Sequence, residues 1–284
     1  MRQLPTALLL AIGDELLNGD VRDVNIYRMS RWLTRLGIWV EEARLIRDTP
    51  AEIKMTLQSL LAKAPEVLII SGGLGPTEDD RTLAAVADAV NVALTAHPEA
   101  RRLVEAQYER LLDAGHVAQR GSANIRRKMA QVPVGATPLP NPRGTAPGVV
   151  LTHESTRIYC LPGVPAELEA IFTEAVVHDI HTHLELGAWV EFEMTVACQD
   201  EAAVAPPLRE VASRHPNVYL KSLARAFPAA LDGKLRIIAS AHAPSEASAR
   251  ERADAALRDL QQHLEALDFS VSGISSHEPE GDIS

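Results

Sequence analysis

Apolar runs at residues 6–12, 38–46 and 67–70 alternate with segments whose apolar residues recur at helical spacing. This alternation restricts the fold more than any other feature. Strand–helix–strand repeats require crossover connections, and such crossovers build a parallel sheet with helices on both faces. Residues 25–36 set Ile26, Met29, Trp32, Leu33 and Leu36 on one helical face, and Gly37 supplies the stop. Thr49, Pro50 and Glu52 read as the cap, first-turn proline and capping-box carboxylate of a helix running to residue 63. A further helix is expected over residues 80–90. Ligands of open sheets bind beyond the carboxyl ends of the strands. The polar loops at residues 13–19 and 71–80 are therefore predicted to face one site.

The second of these loops carries the densest chemistry. Residues 67–70 form a short buried strand, and Ser71-Gly72-Gly73-Leu74-Gly75-Pro76-Thr77-Glu78-Asp79-Asp80 follow. Glycines after a strand let the backbone turn sharply and approach a ligand. A following helix presents unpaired N–H groups to anions. Asp79 and Asp80 are hard oxygen donors suited to a divalent cation beside those anions. A local reading competes: Thr77 as a helix N-cap with Asp80 in the first turn. It accounts for those two residues but not for three glycines and adjacent aspartates in one loop.

Farther along, residues 98–114 read as a helix stopped by Gly115. Residues 120–128 carry Arg120, Arg126, Arg127 and Lys128, which either contact phosphate or form an exposed helical face. Residues 132–148 are rich in proline and glycine. Residues 148–151 and 157–161 read as a strand pair, followed by a helix over 165–184. Residues 187–189 form a candidate domain boundary. Beyond it, strands at 190–197, 217–220 and 234–240 and helices at 201–214 and 245–267 give a β-α-β-β-α order. Pro206-Pro207 is expected to kink the first of those helices or delay its start.

The chain of 284 residues is 46% hydrophobic with a net charge of -10. It is long enough to bury a sizeable core. The acidic balance argues against a broad nucleic-acid surface. Two cysteines, Cys160 and Cys198, form neither a disulfide framework nor a zinc pattern, and both read as core residues. No apolar stretch reaches the roughly 18 residues of a membrane span. The N-terminal apolar run is too short for a signal peptide, and Asp14 and Glu15 stand where a cleavage site would be. A cytoplasmic location is expected. His178, His181 and His183 fall on one predicted helix and read as solvated surface.

Four stretches together carry a family resemblance: Ile12-Gly13-Asp14-Glu15-Leu16-Leu17-Asn18-Gly19 with Asp23 and Asn25; residues 72–82; Asn141 with Gly144-Thr145-Ala146-Pro147-Gly148; and Leu161-Pro162-Gly163-Val164-Pro165-Ala166-Glu167. The chain resembles the N-terminal part of the competence/damage-inducible protein CinA family. The resemblance implies an α/β fold with a three-layer, mostly parallel, molybdopterin-binding-like (MoaB/MogA-like) sheet over residues 1–186. It further implies a smaller KH-like α+β domain over 187–268 and a flexible tail over 269–284. The family's C-terminal amidohydrolase is expected to be absent. Two departures stand out. Residues 126–130 replace an Asn-x-x-Gln-Ala segment, and the KH-like part lacks a Gly-x-x-Gly loop, so no nucleic-acid binding is expected.

The implied activity is metal-dependent hydrolysis of a nucleotide diphosphate, ADP-ribose giving AMP and ribose 5-phosphate. Asp79 and Asp80 are the expected metal pair, with magnesium, manganese or cobalt as the cation and a monovalent cation as a further expectation. Asp14 and Glu15 are the candidates for water activation or a second ligand set. Gly72, Gly73 and Gly75 are expected to cradle phosphate. Thr77 and Thr145 offer hydroxyl donors, Asn25 and Asn141 bond phosphate, ribose or base, and Gly163 borders the substrate. Each has a local alternative: Asp14 ending a strand, Glu15 capping a short helix, Asn25 capping the next, Gly163 relieving a turn. The expected partners are a small phosphorylated nucleotide and a second copy of the chain, a dimer first, with no membrane. Two rival functions remain open: adenylyl transfer to molybdopterin in cofactor biosynthesis, and a non-catalytic nucleotide-binding module.

Overall fold

The computed structural model describes residues 4–119, 122–198, 200–223 and 233–276. The chain divides into two units, residues 5–33 with 39–185 and residues 1–4, 34–38 and 186–284.

The larger unit begins with β1 (Thr6–Ile12), a short helix α1 (Asp14–Asn18), α2 (Asn25–Arg35) and β2 (Trp39–Ile46). It continues with α3 (Pro50–Leu61), β3 (Val67–Ser71), α4 (Thr82–Ala89), β4 (Leu94–Ala96), α5 (Pro98–Asp113) and α6 (Ala123–Met129). It ends with β5 (Gln131–Pro133), β6 (Thr137–Leu139), β7 (Gly148–His153), β8 (Thr156–Leu161), α7 (Pro165–Ile171) and α8 (Val177–His183), the last two joined by a π-helical turn at Phe172–Val176.

Six strands form one sheet in the order β2-β1-β3-β8-β7-β6. The β2, β1, β3 and β8 neighbours are parallel, while β7 runs antiparallel to β8 and β6. The sequences of β1 and β3 are nearly all apolar because both strands lie inside the sheet with both faces covered. β2, at the edge, alternates between exposed and partly buried residues instead. Leu8, Leu10, Leu68 and Ile70 pack on one face with Ile53 and Leu57 of α3 and Val86 of α4. Trp32 of α2 and Phe172 lie with ring centroids 4.7 Å apart.

This topology sets the site. Because β1, β2, β3 and β8 are parallel and β6 is antiparallel to β7, the segments after all five strands leave the same edge. These are residues 13–19, 47–49, 72–81, 140–147 and 162–164.

Several expectations change in detail. The loop after β1 contains a helix, α1, where a turn was expected. Thr49 occupies the N-cap of α3 without a side-chain cap bond. α4 starts at Thr82, two residues later than expected, so Thr77 is not its cap. The basic stretch is largely helical, and Arg120 lies outside the described residues.

In the smaller unit, β9 (Ala188–Ala197), α9 (Glu201–Arg214), β10 (Val218–Leu223), β11 (Lys234–Ala243), α10 (Glu246–Glu265) and β12 (Val271–Ser276) follow in order. The strands form an antiparallel sheet, β10-β11-β9-β12. Its core joins Met194, Val196, Ile237 and Ala239 to Val204, Val211, Leu257 and Leu260 of the two helices. α9 spans Pro206 and Pro207 without a delayed start, because Asp200 caps it by accepting a hydrogen bond from the Ala202 N–H at 2.9 Å. Residues 271–276, expected to belong to a loose tail, instead pair with β9 as β12. The rest of that tail, 277–284, lies outside the described residues. Among the described residues no helix is long and apolar enough to cross a membrane.

Candidate functional site

The glycine loop is fixed by main-chain contacts to both neighbouring strands. The Gly72 N–H donates to the Leu161 carbonyl of β8 at 3.0 Å. Gly72 has φ 105°, and a side chain there would strike the Ile12 carbonyl of β1. Only glycine meets both conditions. The Thr82 hydroxyl, fully buried, donates to the Gly72 carbonyl at 2.8 Å, and the Thr82 N–H donates to the Gly73 carbonyl at 3.2 Å. The first helical turn of α4 thus closes back on the loop.

The two adjacent aspartates have different surroundings. Asp80 Oδ2 accepts from the Thr77 N–H at 2.8 Å and from the Thr77 hydroxyl at 2.6 Å. The expected Thr77–Asp80 contact therefore forms, but as a loop clasp outside the helix. It turns the Thr77 hydroxyl to the loop's own aspartates. Asp79 is exposed. Hydrogen bonding within the loop, first from Thr77, and the cations Lys128 and Arg81 hold its carboxyl below the usual range.

Within the basic stretch, Lys128 reaches the glycine loop. From the last turn of α6, its ammonium donates to the Gly75 carbonyl at 3.2 Å and to the Thr77 carbonyl. It is a fixed positive charge on the glycine loop.

Asp14 and Glu15 stand exposed at the start of α1. Asp14 accepts from the Asp48 N–H at 3.3 Å and lies 3.5 Å from Arg47 Nη1. Asp48 follows β2 and was not among the expected residues. Burial, then the negative charges of Asp14, Glu15 and Asp79, push its carboxyl above the usual range. Asp48 Oδ1 is buried with no hydrogen-bond partner. The signal for Asp48 was its position at the carboxyl end of a strand, the rule already applied to the neighbouring strands.

Asn25, 5% exposed, is more than a cap for α2. Its Nδ2 donates to the Gly163 carbonyl at 2.8 Å and lies 3.5 Å from Ser71 Oγ, while Oδ1 has no partner. The helix-entry bond to the Ile26 N–H comes from Asp23 Oδ1 instead. Gly163 borders Gly72 closely enough for a Cβ built on it to touch the Gly72 Cα at 3.4 Å.

Asn141 organises the loop after β6. Its Oδ1 accepts from the Arg143 and Gly144 N–H groups at 3.0 and 2.8 Å. Its Nδ2 donates to the Ala146 carbonyl at 2.8 Å and to Glu167 Oε2 at 2.7 Å. All these bonds are internal, so Asn141 shapes the loop. Glu167 lies against Gly144 where any larger residue would collide with it. Burial pushes the Glu167 carboxyl up, against the bond from Asn141. The Thr145 hydroxyl points to Met129 Sδ at 3.7 Å.

The edge thus gathers Asp14, Glu15, Asp48 and Asp79 on the β1–β2–β3 side and Asn25, Gly72 and Gly163 at the β1–β3–β8 crossing. Asn141, Gly144, Thr145 and Glu167 lie on the β6–β8 side. Among the described residues no group of three or more His, Cys, Asp or Glu side chains is arranged to hold a metal by itself. Hard oxygens, including a buried unpartnered one on Asp48, fit a magnesium-like cation completed by phosphate oxygens and water. The charge of Asp79 is felt at Asp48, while Asp80 Oδ2 is held by the Thr77 N–H and hydroxyl.

Cys160 is fully buried in β8, and burial pushes its thiol up to about 12. Cys198 is partly exposed and donates its thiol to the Asp200 carbonyl at 3.0 Å. His178, His181 and His183 are exposed, and His183 Nδ1 lies 3.4 Å from Asp179 Oδ1.

Residues 8–182 match the family model described as a probable molybdopterin binding domain. The Thermococcus kodakarensis protein TK1472 is 38% identical over 221 residues, covering 78% of this chain and 86% of that protein. A Pyrobaculum calidifontis protein is 37% identical over 276 residues, covering 95% of this chain and all of its own. Among solved structures, the Thermoplasma acidophilum protein CinA, described as of unknown function, is 30% identical with a TM-score of 0.55. That likeness covers 62% of this chain and 98% of CinA.

Proposed function

The chain belongs to the family of the probable molybdopterin binding domain, and from that premise we propose that its carboxyl-edge site works on a phosphoanhydride joining AMP to a second phosphorylated group. The larger unit has the MoaB/MogA-like fold. The observation that carries the proposal is the acidic cluster of Asp14, Glu15, Asp48 and Asp79 beside a glycine loop that Lys128 caps. Phosphates and four carboxylates repel one another unless a cation lies between them.

The family favours forming such a bond: transfer of an adenylyl group from ATP to the phosphate of molybdopterin, with release of pyrophosphate. A second reading is cleavage of the same kind of bond, ADP-ribose plus water giving AMP and ribose 5-phosphate. The resemblance to CinA supports it, as do the exposed carboxylates of Asp14 and Glu15, which are open to a water nucleophile. In both readings a diphosphate repels its attacker, and charge compensation is the main requirement. A divalent cation, when bound, would offset that charge and polarise the phosphoryl oxygens. The chain's own part is to hold phosphate with the backbone of Gly73 to Gly75 and with Lys128, to supply carboxylates, and to keep the wall rigid through Asn25, Asn141 and Gly72, whose N–H is bonded to the Leu161 carbonyl.

The distinguishing experiment follows phosphorus NMR of the protein with magnesium and either ADP-ribose, or ATP with molybdopterin. AMP with ribose 5-phosphate supports cleavage, and pyrophosphate release supports transfer. No turnover in either mixture rejects both reactions. In the same reading the smaller unit is KH-like and the protein self-associates as a dimer, which sedimentation would measure.

A further inference from the structure

β2 is an end strand of the larger sheet. It pairs with β1 on one side, and no strand adjoins its other side among the described residues. Such an edge carries a row of main-chain groups able to pair with another strand. The β1 ladder shows which of them face outward. The Trp39 N–H donates to the Pro5 carbonyl at 2.8 Å, and the Ile46 carbonyl accepts from the Gly13 N–H at 3.1 Å, so the main chain of both residues faces β1. Between them, a register shift opposite Ala7/Leu8 leaves Glu41 as the extra residue of a bulge. Counting back from Ile46 in steps of two, the main-chain groups of Arg44 and Glu42 also face β1, and those of Ala43 and Leu45 face away. The Ala43 and Leu45 side chains are exposed as well.

The charges on β2 decide what fits this edge. Glu42 and Arg44 lie on one face of the strand, where Arg44 Nε donates to Glu42 Oε1 at 2.5 Å and Lys63 bonds the other oxygen. An antiparallel copy of β2 can meet the strand about a two-fold axis. With the axis at Ala43, Arg44 lies directly opposite the partner's Glu42, and symmetry makes that pair twice. The Glu42–Arg44 bond within each strand then closes a ring of four alternating charges. Ala43 exchanges both main-chain bonds with its own copy, and its methyl group is small enough for the axis. Moving the axis to Glu42 or to Arg44 sets that residue against its own copy. Moving it to Leu45 sets Glu42 against the partner's Asp48. Unlike charges directly opposite one another stabilise an antiparallel pair and like charges destabilise it, so one register is favoured and its neighbours are opposed. We propose that two copies of the chain pair through β2, antiparallel about Ala43, joining their six-stranded sheets into one. The inference rests on the self-association proposed above and adds its surface and register. The antiparallel direction brings the amino end of the partner's β2 beside Arg47 and Asp48, so each candidate site borders the interface.

The test is sedimentation velocity of the full-length protein over a concentration series, with circular dichroism and thermal melting to confirm the fold of each variant. Wild type should be a dimer. Ala43→Pro removes an outward N–H that β1 does not use, and it should give a folded monomer. Glu42→Arg and Arg44→Glu each place like charges opposite one another, and each should raise the dimer dissociation constant by at least about tenfold. Combining Glu42→Arg with Arg44→Glu restores unlike pairs and should return the constant to within about threefold of wild type. A dimer indifferent to Ala43→Pro and to both single reversals would overturn the β2 edge while leaving self-association intact. Reversals that weaken the dimer without recovery in the combined variant would overturn the register. A wild-type monomer at every concentration would overturn self-association and the edge together.

Discussion

Asn25 and Gly163 lie far apart in sequence, yet the Asn25 amide donates to the Gly163 carbonyl at 2.8 Å. The bond ties the first residue of α2 to the turn that follows β8. Gly163 in turn borders Gly72, so three segments of the sheet edge depend on one buried side chain. Replacing Asn25 with Ala leaves that carbonyl unsatisfied and should lower stability by about 1–3 kcal/mol. Urea unfolding of the two proteins measures it; an unchanged midpoint would show that the bond carries no weight.

Gly72→Ala should be more harmful than its size suggests. The residue has φ 105°, and a Cβ meets the Ile12 carbonyl. A compatible Gly→Ala change stabilises by about 0.4–1 kcal/mol, and an incompatible one destabilises by more than that. The expected result is a lower melting temperature and loss of phosphate binding, measured by calorimetry and titration.

Lys128→Met tests the loop without touching a carboxylate. The ammonium donates to two loop carbonyls, and hydrogen bonds to charged groups contribute about 1.5–3 kcal/mol. Because the side chain is partly exposed, the lower end applies. Affinity for ribose 5-phosphate should fall by roughly tenfold, while circular dichroism shows the fold retained. Wild-type affinity would remove Lys128 from the phosphate site.

Arg157 and Asp179 offer a pH-dependent check remote from those carboxylates. Arg157 Nη2 donates to Asp179 Oδ1 at 2.5 Å, and the Tyr159 hydroxyl donates to Oδ2 at 2.6 Å. Burial opposes ionisation of Asp179, but the bonds from Arg157 and Tyr159 outweigh it and hold its carboxyl below the usual 3.8. A lowered folded value means the stabilisation is complete above about pH 4 and is lost as pH falls through the folded value. Asp179→Asn should cost about 1–3 kcal/mol at pH 7 and flatten that acid limb, as followed by urea unfolding between pH 2 and 7. An unchanged acid limb would contradict the assignment.

Much of this architecture is legible in sequence because local signals and tertiary packing agree. The apolar runs of β1 and β3 and the glycine stop after α2 appear where periodicity places them. The start of α4 is not legible, because Thr77 and Asp80 satisfy a capping pattern while the chain uses it to clasp a loop. α9 starts at Glu201, ahead of its two prolines, because Asp200 caps it there. Asp48 escapes notice because its significance is spatial: burial and three carboxylates from other segments define it. The strand β12 is short and polar, and pairing with β9 rather than propensity makes it. Within the site, motifs identify the loops, but only the structure shows that Thr77 and Asn141 spend their hydrogen bonds internally.

In the proposed function, the carboxylate cluster beside the glycine loop binds a phosphoanhydride through a divalent cation. Isothermal titration of ADP-ribose, with and without magnesium, into wild-type protein and into Asp48→Asn and Asp79→Asn variants tests it most directly. Wild type should bind ADP-ribose in a magnesium-dependent way, weakened at least tenfold in each variant, with all three proteins equally folded. Binding that ignores both magnesium and the carboxylates, or no binding at all, would contradict it.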